Sequence, residues 1–285
     1  MKILITGSNG QLGREIKELE SVYTHYEFIF TDVEELDITD ADSVNDYFAF
    51  QKPDVVINCA AYTAVDKAET DEEMAFRVNA SAPGNLARAA SDSGSFMVHI
   101  STDYVYNGKN YIPYIETDLI NPVSVYAKSK AAGEDAVQLA GGKAIIIRTS
   151  WLYSAFGNNF IKTMMKYGRE RDTLNVVFDQ IGTPTYGHDL AKAILDILPM
   201  AMIDERIEIY HYSNEGVASW YDFAKTIHQF ANITCKVNAI PTSDYPLPAE
   251  RPFYSVLDKS KIKKKFSIEI PYWRDSVKHC IDRLD

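Results

Sequence analysis

The chain has few cysteines, and they form no metal or redox motif. The three cysteines among its 285 residues, Cys59, Cys235 and Cys280, are far apart and include no CxxC pair. A small, odd and scattered set is typical of reduced thiols and argues against a disulfide framework. The six histidines also lack HExxH spacing, so the sequence predicts no metal site of this kind.

Long apolar runs and an excess of positive charge are missing as well. No stretch approaches the length of a membrane span, and the single Lys2 before a short strand pattern does not resemble a signal peptide. The net charge of −11 disfavours a nucleic-acid backbone or an anionic membrane as the main partner. A phosphorylated ligand is still compatible, because backbone N–H groups can bind phosphate. We therefore expect a cytoplasmic protein that binds neither nucleic acid nor membrane.

The first 150 residues alternate between apolar strands and amphipathic helices. Strands are predicted at 2–6, 28–30, 54–58, 96–100 and 144–148, and one long helix is predicted at about 71–93. Near-continuous aliphatic strands are typical of a parallel sheet that is covered on both faces. Right-handed crossovers make such a sheet doubly wound. The predicted fold class is therefore α/β, with a doubly wound parallel Rossmann sheet.

This regular alternation is lost after about residue 150. Aromatic residues occur among shorter elements, and prolines at 241, 246, 248 and 252 interrupt a loop-rich stretch. We interpret residues 1–150 as a dinucleotide-binding Rossmann domain. Residues 151–285 are interpreted mainly as a smaller, irregular C-terminal substrate-binding region. Within them, residues 173–199 are expected to rejoin the sheet.

A glycine-rich turn joins the first strand to the first helix. Gly7, Gly10 and Gly13 follow the spacing GxxGxxG, with Gln11 and Leu12 inside the motif. A tight turn needs a residue that tolerates positive φ, and close approach to a pyrophosphate needs the absence of Cβ. The following helix offers unpaired N–H groups and the positive end of its dipole. A turn without a ligand is the alternative, but the strand–turn–helix context favours a dinucleotide.

Further candidate cofactor contacts follow the second and third strands. Asp32 lies 19 residues after Gly13, where a carboxylate can accept hydrogen bonds from the adenosine ribose. It would also repel a 2′-phosphate and so favour NADH over NADPH, although Asp is a common turn residue as well. The remaining candidates of this group flank the adenine or lie along the cofactor: Asp37, Ile38, Ala60, Ala61 and Tyr62.

Tyr126 and Lys130 supply the expected catalytic chemistry. They are four residues apart and so share one face of a predicted helix. A nearby ammonium lowers the pKa of a phenol from its usual value of about 10. We expect Lys130 to acidify Tyr126 and to hold the nicotinamide ribose, while Tyr126 gives its proton to a carbonyl oxygen. Thr102, after the fourth strand, is favoured over Ser101 as the hydroxyl that polarises the same oxygen. A surface Tyr–Lys pair is the alternative.

These motifs resemble the extended short-chain dehydrogenase/reductase family, and within it the branch of dTDP-4-dehydrorhamnose reductases. The resemblance covers nearly the whole chain, and the late motifs are the more specific ones. It is carried by TGSNGQLG at 6–13, NCAAYTAVDKAE at 58–69, Val78-Asn79, STDYVY at 101–106, YAKSK at 126–130, RTSW at 148–151, GVASWY at 216–221 and RPFYSVLD at 251–258.

The resemblance implies reduction of the C4 ketone of dTDP-4-dehydro-L-rhamnose by NADH or NADPH. The product, dTDP-L-rhamnose, is a donor for cell-surface polysaccharide. By position, the resemblance assigns Tyr126 as the acid, Lys130 as its activator, Thr102 as the polarising hydroxyl, Asn79 as a cofactor contact, Asp103 and Trp151 as sugar contacts, and Arg251 as a residue of the nucleotide site or closing loop.

The resemblance also concerns metal binding and assembly. Some relatives bind Mg²⁺ through carboxylates at a dimer contact, and Glu15 and Asp189 would correspond here. His188 stands beside Asp189, and few other acids are nearby. A homodimer is therefore compatible with the resemblance, and the residues themselves predict no metal site.

Two other functions compete with simple reduction. The first is another nucleotide-sugar enzyme of the same fold, such as a 4-epimerase. The second is a regulatory subunit without catalysis, like the one that accompanies methionine adenosyltransferase. Tyr104 stands where 4,6-dehydratases carry the Glu they need for water elimination, which favours reduction. The presence of Tyr126, Lys130 and Thr102 together argues against the regulatory subunit.

Overall fold

The computed structural model describes residues 1–204 and 206–284. Over these residues the strands are β1 Lys2–Thr6, β2 Glu27–Thr31, β3 Val55–Asn58, β4 Phe96–Thr102, β5 Lys143–Thr149, β6 Leu152–Tyr153, β7 Thr173–Val177, β8 Ile181–Gly182, β9 Thr185–Tyr186, β10 Glu208–His211, β11 Ala218–Ser219 and β12 Lys236–Ile240. The α-helices are α1 Gln11–Glu18, α2 Ala41–Gln51, α3 Val65–Ala68, α4 Glu72–Phe76, α5 Ala82–Ser93, α6 Val125–Ala140, α7 Phe160–Glu170, α8 Gly187–Ala201, α9 Trp220–Phe230, α10 Ser260–Phe266 and α11 Trp273–Asp282. Within these ranges no helix combines the length and apolar character needed to cross a membrane.

Six strands form the central sheet, in the order β2-β1-β3-β4-β5-β10. Each neighbouring pair runs parallel. The strand order reverses between β1 and β3, because β2 lies on one side of β1 and the later strands lie on the other. A ligand crevice is expected outside the carboxyl ends of the strands at such a reversal. The predicted fold class, a doubly wound parallel sheet, is confirmed.

Helices cover both faces of the sheet. Successive side chains of a strand point to opposite faces, so Ile3 and Ile5 of β1 pack with α1 and α8. Leu4, between them, packs on the other face with α2, α5 and α6. All three side chains are fully buried, and burial of each contributes about 1.5–3 kcal/mol.

A second apolar core lies outside the sheet and belongs to the later part of the chain. Helices α7, α9 and α11 pack there with the paired strands β7 and β12. Residues 173–199 are expected from the sequence to rejoin the sheet: helix α8 packs on the central sheet, whereas the strand β7 pairs with β12 outside it. β7 alternates exposed and buried residues, which suits a small sheet covered on one face rather than a strand within the central sheet. The sixth strand of the central sheet is β10.

The long helix predicted at 71–93 is interrupted. It consists of α4, a π-helix at Arg77–Ser81 and α5. Pro83 lies four residues after Asn79 and has no N–H to donate to the Asn79 carbonyl. The freed carbonyl faces Gly133 of α6, where a Cβ would lie 2.1 Å from the Asn79 oxygen. Gly133 therefore allows α6 to approach the π-helix closely.

The contact at Gly133 generates a test of stability. Gly133→Ala is expected to lower the free energy of unfolding by about 1–3 kcal/mol, because the added methyl forces backbone shifts. Urea denaturation measures the change. Gly84→Ala is the matched control, since its Cβ would meet the Ala136 methyl at 3.2 Å and should cost less. Equal losses in the two variants would contradict the proposed contact.

Candidate active site

The glycine turn between β1 and α1 is tightly packed at Gly7 and Gly13 and more open at Gly10. Gly7 has a φ of +67°, and a Cβ there would lie 2.6 Å from the backbone of Ala60. At Gly13 a Cβ would lie 2.6 Å from the Gly7 oxygen and from the Cα of Ser8. A Cβ at Gly10 would meet the Gly7 oxygen alone, at 3.2 Å. Gly7 and Gly13 thus permit the turn, and Gly10 leaves it open towards a ligand.

The N-terminus of α1 lies at this turn and has no side-chain cap. Gly10 is the N-cap residue and offers no side-chain hydrogen bond to the first helical N–H groups. Unpaired N–H groups at a helix N-terminus attract phosphate. Gln11 is partly exposed, whereas the Leu12 side chain is buried in the core and leaves its backbone for a ligand. The turn fits the pyrophosphate of a dinucleotide.

Asp32 lies directly after β2 and contacts the glycine turn. Its carboxylate accepts hydrogen bonds from the backbone N–H groups of Asn9 and Val33, each at 2.9 Å. Asp32 is partly exposed, so its oxygens can still be approached. The residue therefore braces the glycine turn and keeps its carboxylate accessible.

Asp37 and Ile38 follow farther along the same side of the sheet. The Asp37 carboxylate accepts hydrogen bonds from the backbone and hydroxyl of Thr39, and these hold the pKa of Asp37 below its usual value. Ile38 is buried. Arg77 lies 4.0 Å from Asp37. This group is separate from the residues around Tyr126.

The loop after β3 is held by Asn79 of the π-helix. Its Oδ1 accepts the backbone N–H of Tyr62 at 2.8 Å, and its Nδ2 donates to the Tyr62 carbonyl at 3.1 Å. The same Nδ2 lies 3.0 Å from the Ser129 hydroxyl, in α6. Asn79 thus connects the loop Ala60–Tyr62 to the helix that carries Lys130.

Tyr126 and Thr102 meet where the first turn of α6 approaches the end of β4. Burial raises the pKa of Tyr126 to about 12, the nearby Thr102 hydroxyl opposes the rise, and the charge of Asp103 adds to it. The expected acidification of Tyr126 by Lys130 is therefore wrong for this structure. Burial of the phenol outweighs the other influences on its pKa, and the Lys130 ammonium is not among them.

Lys130 is buried near the carboxyl end of β4. Its side chain is buried, and its Nζ donates to the carbonyl of Ile100 in β4 at 2.7 Å. Burial lowers the pKa of Lys130 to about 8, and the nearby carboxylate of Glu134 opposes this effect. His99, expected to be a packed core residue, is fully buried in β4, and burial together with Lys130 keeps its pKa well below the usual value.

Glu134 belongs to a buried polar network that sequence reasoning missed. It pairs with Arg148 of β5 at 2.6 Å, and both side chains are at most 3% exposed. The Ser101 hydroxyl also donates to Glu134 at 2.5 Å, whereas the Thr102 hydroxyl donates to Asp103 at 3.0 Å and lies beside Tyr126. Arg148 donates to the hydroxyl of Tyr106 at 2.7 Å. The available signal was spacing, since Glu134 follows Lys130 by four residues on the same helix face.

Two of the expected sugar contacts lie at the same edge of the sheet. Asp103 is buried, which raises its pKa to about 7 against the opposing hydroxyls of Ser255 and Thr102. Trp151 follows β5 by two residues and has a φ of +46°. Such a conformation of a bulky residue costs on the order of 1–3 kcal/mol and is concentrated at functional sites.

Arg251 forms an ion pair with Asp66, which belongs to the part of the chain that builds the central sheet. Its guanidinium lies 2.7 Å from the carboxylate of Asp66 in α3, and the same carboxylate accepts the N–H of Ala249 at 3.2 Å. The ion pair fastens the proline-rich loop over the sheet, near Tyr104 and Ser124.

The carboxylates considered for Mg²⁺ do not fit a metal. Glu15 is fully buried and lies 2.8 Å from Arg283 and 3.4 Å from His188. Although burial alone would raise it, the pKa of Glu15 is lowered by its interactions with His188 and Arg283. Asp189 accepts hydrogen bonds from Asn214 and Ser276. The Arg283 guanidinium already supplies the positive charge that balances Glu15.

Comparison with known proteins assigns the family. A family model described as "RmlD substrate binding domain" matches residues 1–285. The dTDP-4-dehydrorhamnose reductase of Aggregatibacter actinomycetemcomitans is 44% identical over 98% of this chain and 97% of its own. The chain belongs to the dTDP-4-dehydrorhamnose reductase family.

Solved structures of this family have the same fold. A dTDP-4-dehydrorhamnose reductase from Clostridium acetobutylicum superposes with a TM-score of 0.95 at 45% identity, covering 100% of this chain and 99% of that one. The Bacillus anthracis reductase, solved in complex with NADP, gives a TM-score of 0.94 at 37% identity, covering 99% of both chains.

The Glu134–Arg148 pair generates a prediction for this family member. Glu134→Gln is expected to lower the free energy of unfolding by about 3–5 kcal/mol, because it leaves the guanidinium buried without a counter-charge. Urea denaturation provides the measurement. The exposed pair Lys278–Asp282 is the control, and Asp282→Asn should change stability by less than about 1 kcal/mol. A Glu134 variant as stable as this control would contradict the structural role of the pair.

Proposed function

We propose that the protein reduces the C4 ketone of dTDP-4-dehydro-L-rhamnose to dTDP-L-rhamnose with NADH or NADPH. The observation that carries the proposal is the approach of Tyr126 to the carboxyl end of β4, where its ring lies 5.6 Å from that of Tyr104 and beside Thr102, in a chain of this reductase family. Two hydroxyls at one point suit the oxygen of a ketone, which accepts hydrogen bonds from both.

A dinucleotide fits the crevice beside them. When bound, it supplies the hydride. We assign its pyrophosphate to the glycine turn, its adenosine ribose to Asp32 and its nicotinamide ribose to Tyr126 and Lys130. The residues assigned along it are Gly7, Gly10, Gln11, Leu12, Gly13, Asp37, Ile38, Ala60, Ala61, Tyr62 and Asn79.

Tyr126 is assigned as the proton donor. With a pKa of about 12 it stays protonated at neutral pH, so the proton is present when the ketone arrives. As negative charge develops on the ketone oxygen, that oxygen becomes the stronger base and takes the proton. Thr102 holds the oxygen in place, and the ammonium of Lys130 adds positive charge to this end of the crevice.

We further propose that the second core is the substrate-binding region. Trp151 and Arg251 belong to the part of the chain that follows β5, and together with Asp103 they are assigned to the nucleotide sugar. The late motifs shared with the family support this division. The cysteines at 59, 235 and 280 are unpaired, which supports a cytoplasmic location.

Loss of the phenol tests the reaction directly. Tyr126→Phe is expected to lower kcat by about 10²- to 10⁴-fold and to leave cofactor affinity unchanged, because only the proton donor is removed. The loss of NADH absorbance in the presence of dTDP-4-dehydrorhamnose measures kcat. Tyr104→Phe, at a ring 5.6 Å from Tyr126, is the control and should retain activity. If the wild-type protein converts the sugar without net NADH consumption, it is an epimerase and the proposal fails.

The buried ammonium predicts the dependence of activity on pH. The pKa of Lys130 is about 8, so its charge is present below that pH and is lost as the pH rises through it. We expect kcat/KM to fall on the alkaline side of about pH 8. In Lys130→Arg this limb should disappear, since guanidinium stays charged. The exposed neighbour Lys128 provides a control, and Lys128→Ala should keep the limb. An alkaline limb unchanged in Lys130→Arg would refute the assignment.

A further inference from the structure

Trp220 packs between the second apolar core and the side chain of Trp151. It is the first residue of α9 and stacks face to face on Trp151, with ring centroids 3.7 Å apart and planes 9° apart. The rings of Phe160 and Phe223 lie 4.7 Å and 6.2 Å from that of Trp220. Trp220 is therefore held between the interior of the second core and the indole of Trp151.

A short strand pairing positions both indoles. β11 immediately precedes Trp220 and pairs with β8, so that Ala218 lies opposite Gly182. Gly182 packs directly against Trp151, because a Cβ at this glycine would lie 2.7 Å from Cε2 of the indole. Ser219 forms a capping box at the start of α9, which fixes where the helix begins. The pairing of β8 with β11 thus fixes the start of the helix that bears Trp220 and also contacts the Trp151 indole.

Trp151 depends on such support because of its own conformation. Its φ of +46° is in the left-handed region, which bulky residues rarely adopt. A residue in that region keeps its conformation only where the surrounding structure determines it. The indole is only partly buried, and the Trp151 carbonyl accepts one hydrogen bond, from Thr185 at 3.2 Å. The stack with Trp220 supplies a large contact for the ring.

The Trp151 ring lies close to the reacting groups. β5 ends two residues before Trp151 and runs beside β4, which ends at Thr102. Ser255 packs on Gly182 next to Trp151, with its Oγ 2.7 Å from the position of a Cβ there. The Ser255 hydroxyl also opposes the rise in the pKa of Asp103. Ser255 is thus near both the indole and Asp103.

We propose that Trp220 is a positioning residue that holds the Trp151 indole in the orientation that contacts the sugar, and that it acts only through that indole. The inference rests on the proposed function, because it requires a nucleotide sugar in this crevice. An aromatic ring offers a ligand a large flat apolar surface, and a ring that is already ordered loses less entropy on binding. Trp220 therefore determines sugar affinity and leaves proton transfer to Tyr126.

Binding and spectroscopy test this role without turnover. Trp220→Ala is expected to raise the Kd for dTDP-L-rhamnose about tenfold, a change of about 1.4 kcal/mol, while the Kd for NADH stays unchanged. Trp220→Phe keeps an aromatic face and should bind nearly as the wild type does. Calorimetry measures both constants. The stacked indoles should give an exciton couplet in circular dichroism, which Trp220→Ala removes and Trp273→Phe, a change in the second core, leaves intact.

The controls separate this role from general packing. Trp151→Ala and the double variant complete a cycle, in which Trp220→Ala should add nothing once the Trp151 ring is gone. Additive losses would overturn the proposal, and so would unchanged sugar affinity in a variant that has lost the couplet. If Trp220→Ala fails to fold, Trp220→Leu fills the space without an aromatic face, and the same outcomes decide. A wild-type protein that does not bind dTDP-L-rhamnose contradicts the proposed function itself, whereas normal wild-type binding with an insensitive Trp220 contradicts only this inference.

Discussion

The buried ion pair between Glu134 and Arg148 determines where α6 lies, and the positions of the reacting side chains follow from it. A carboxylate and a guanidinium removed from water are stable only when they are paired and their remaining hydrogen-bonding groups are satisfied. Ser101 and Tyr106 complete that requirement. Because Ser101 belongs to β4 and Arg148 to β5, one carboxylate holds the helix against two neighbouring strands.

Burial also determines the charge state of the site. It raises the pKa of Tyr126 and lowers that of Lys130, yet both groups are protonated at neutral pH, because the values of about 12 and about 8 lie above it. Glu134 is close enough to favour the ammonium, while His99 stays neutral beside it. The helix therefore carries a phenol that keeps its proton and an ammonium whose charge depends on the carboxylate one turn farther along.

The features that sequence reasoning could predict are local ones. The glycine turn, the first five strands of the sheet and the Tyr126–Lys130 spacing are each contained within a few residues. Pairings between distant segments could not be predicted in this way: β7 and β10 are both short strands with polar residues, and only tertiary packing decides which one joins the central sheet. The prediction that the pKa of Tyr126 is lowered was wrong for the same reason, since this pKa depends on how far tertiary packing buries the phenol. Glu134 could have been suspected from its spacing, but its partner Arg148 lies in another element.

The cover that α8 gives to one face of the sheet has a consequence for synthesis of the chain. When residues 1–150 have left the ribosome, α1 is present but α8 is not, so Ile3, Ile5 and Ile57 are only partly covered, and β5 still has a free edge. The sheet face and the edge of β5 are covered only after the chain has been synthesised as far as residue 211, where β10 ends. The nascent N-terminal half thus exposes apolar surface and an unpaired strand edge until late in synthesis. Translation pauses before that point would prolong its exposure to chaperones and to aggregation.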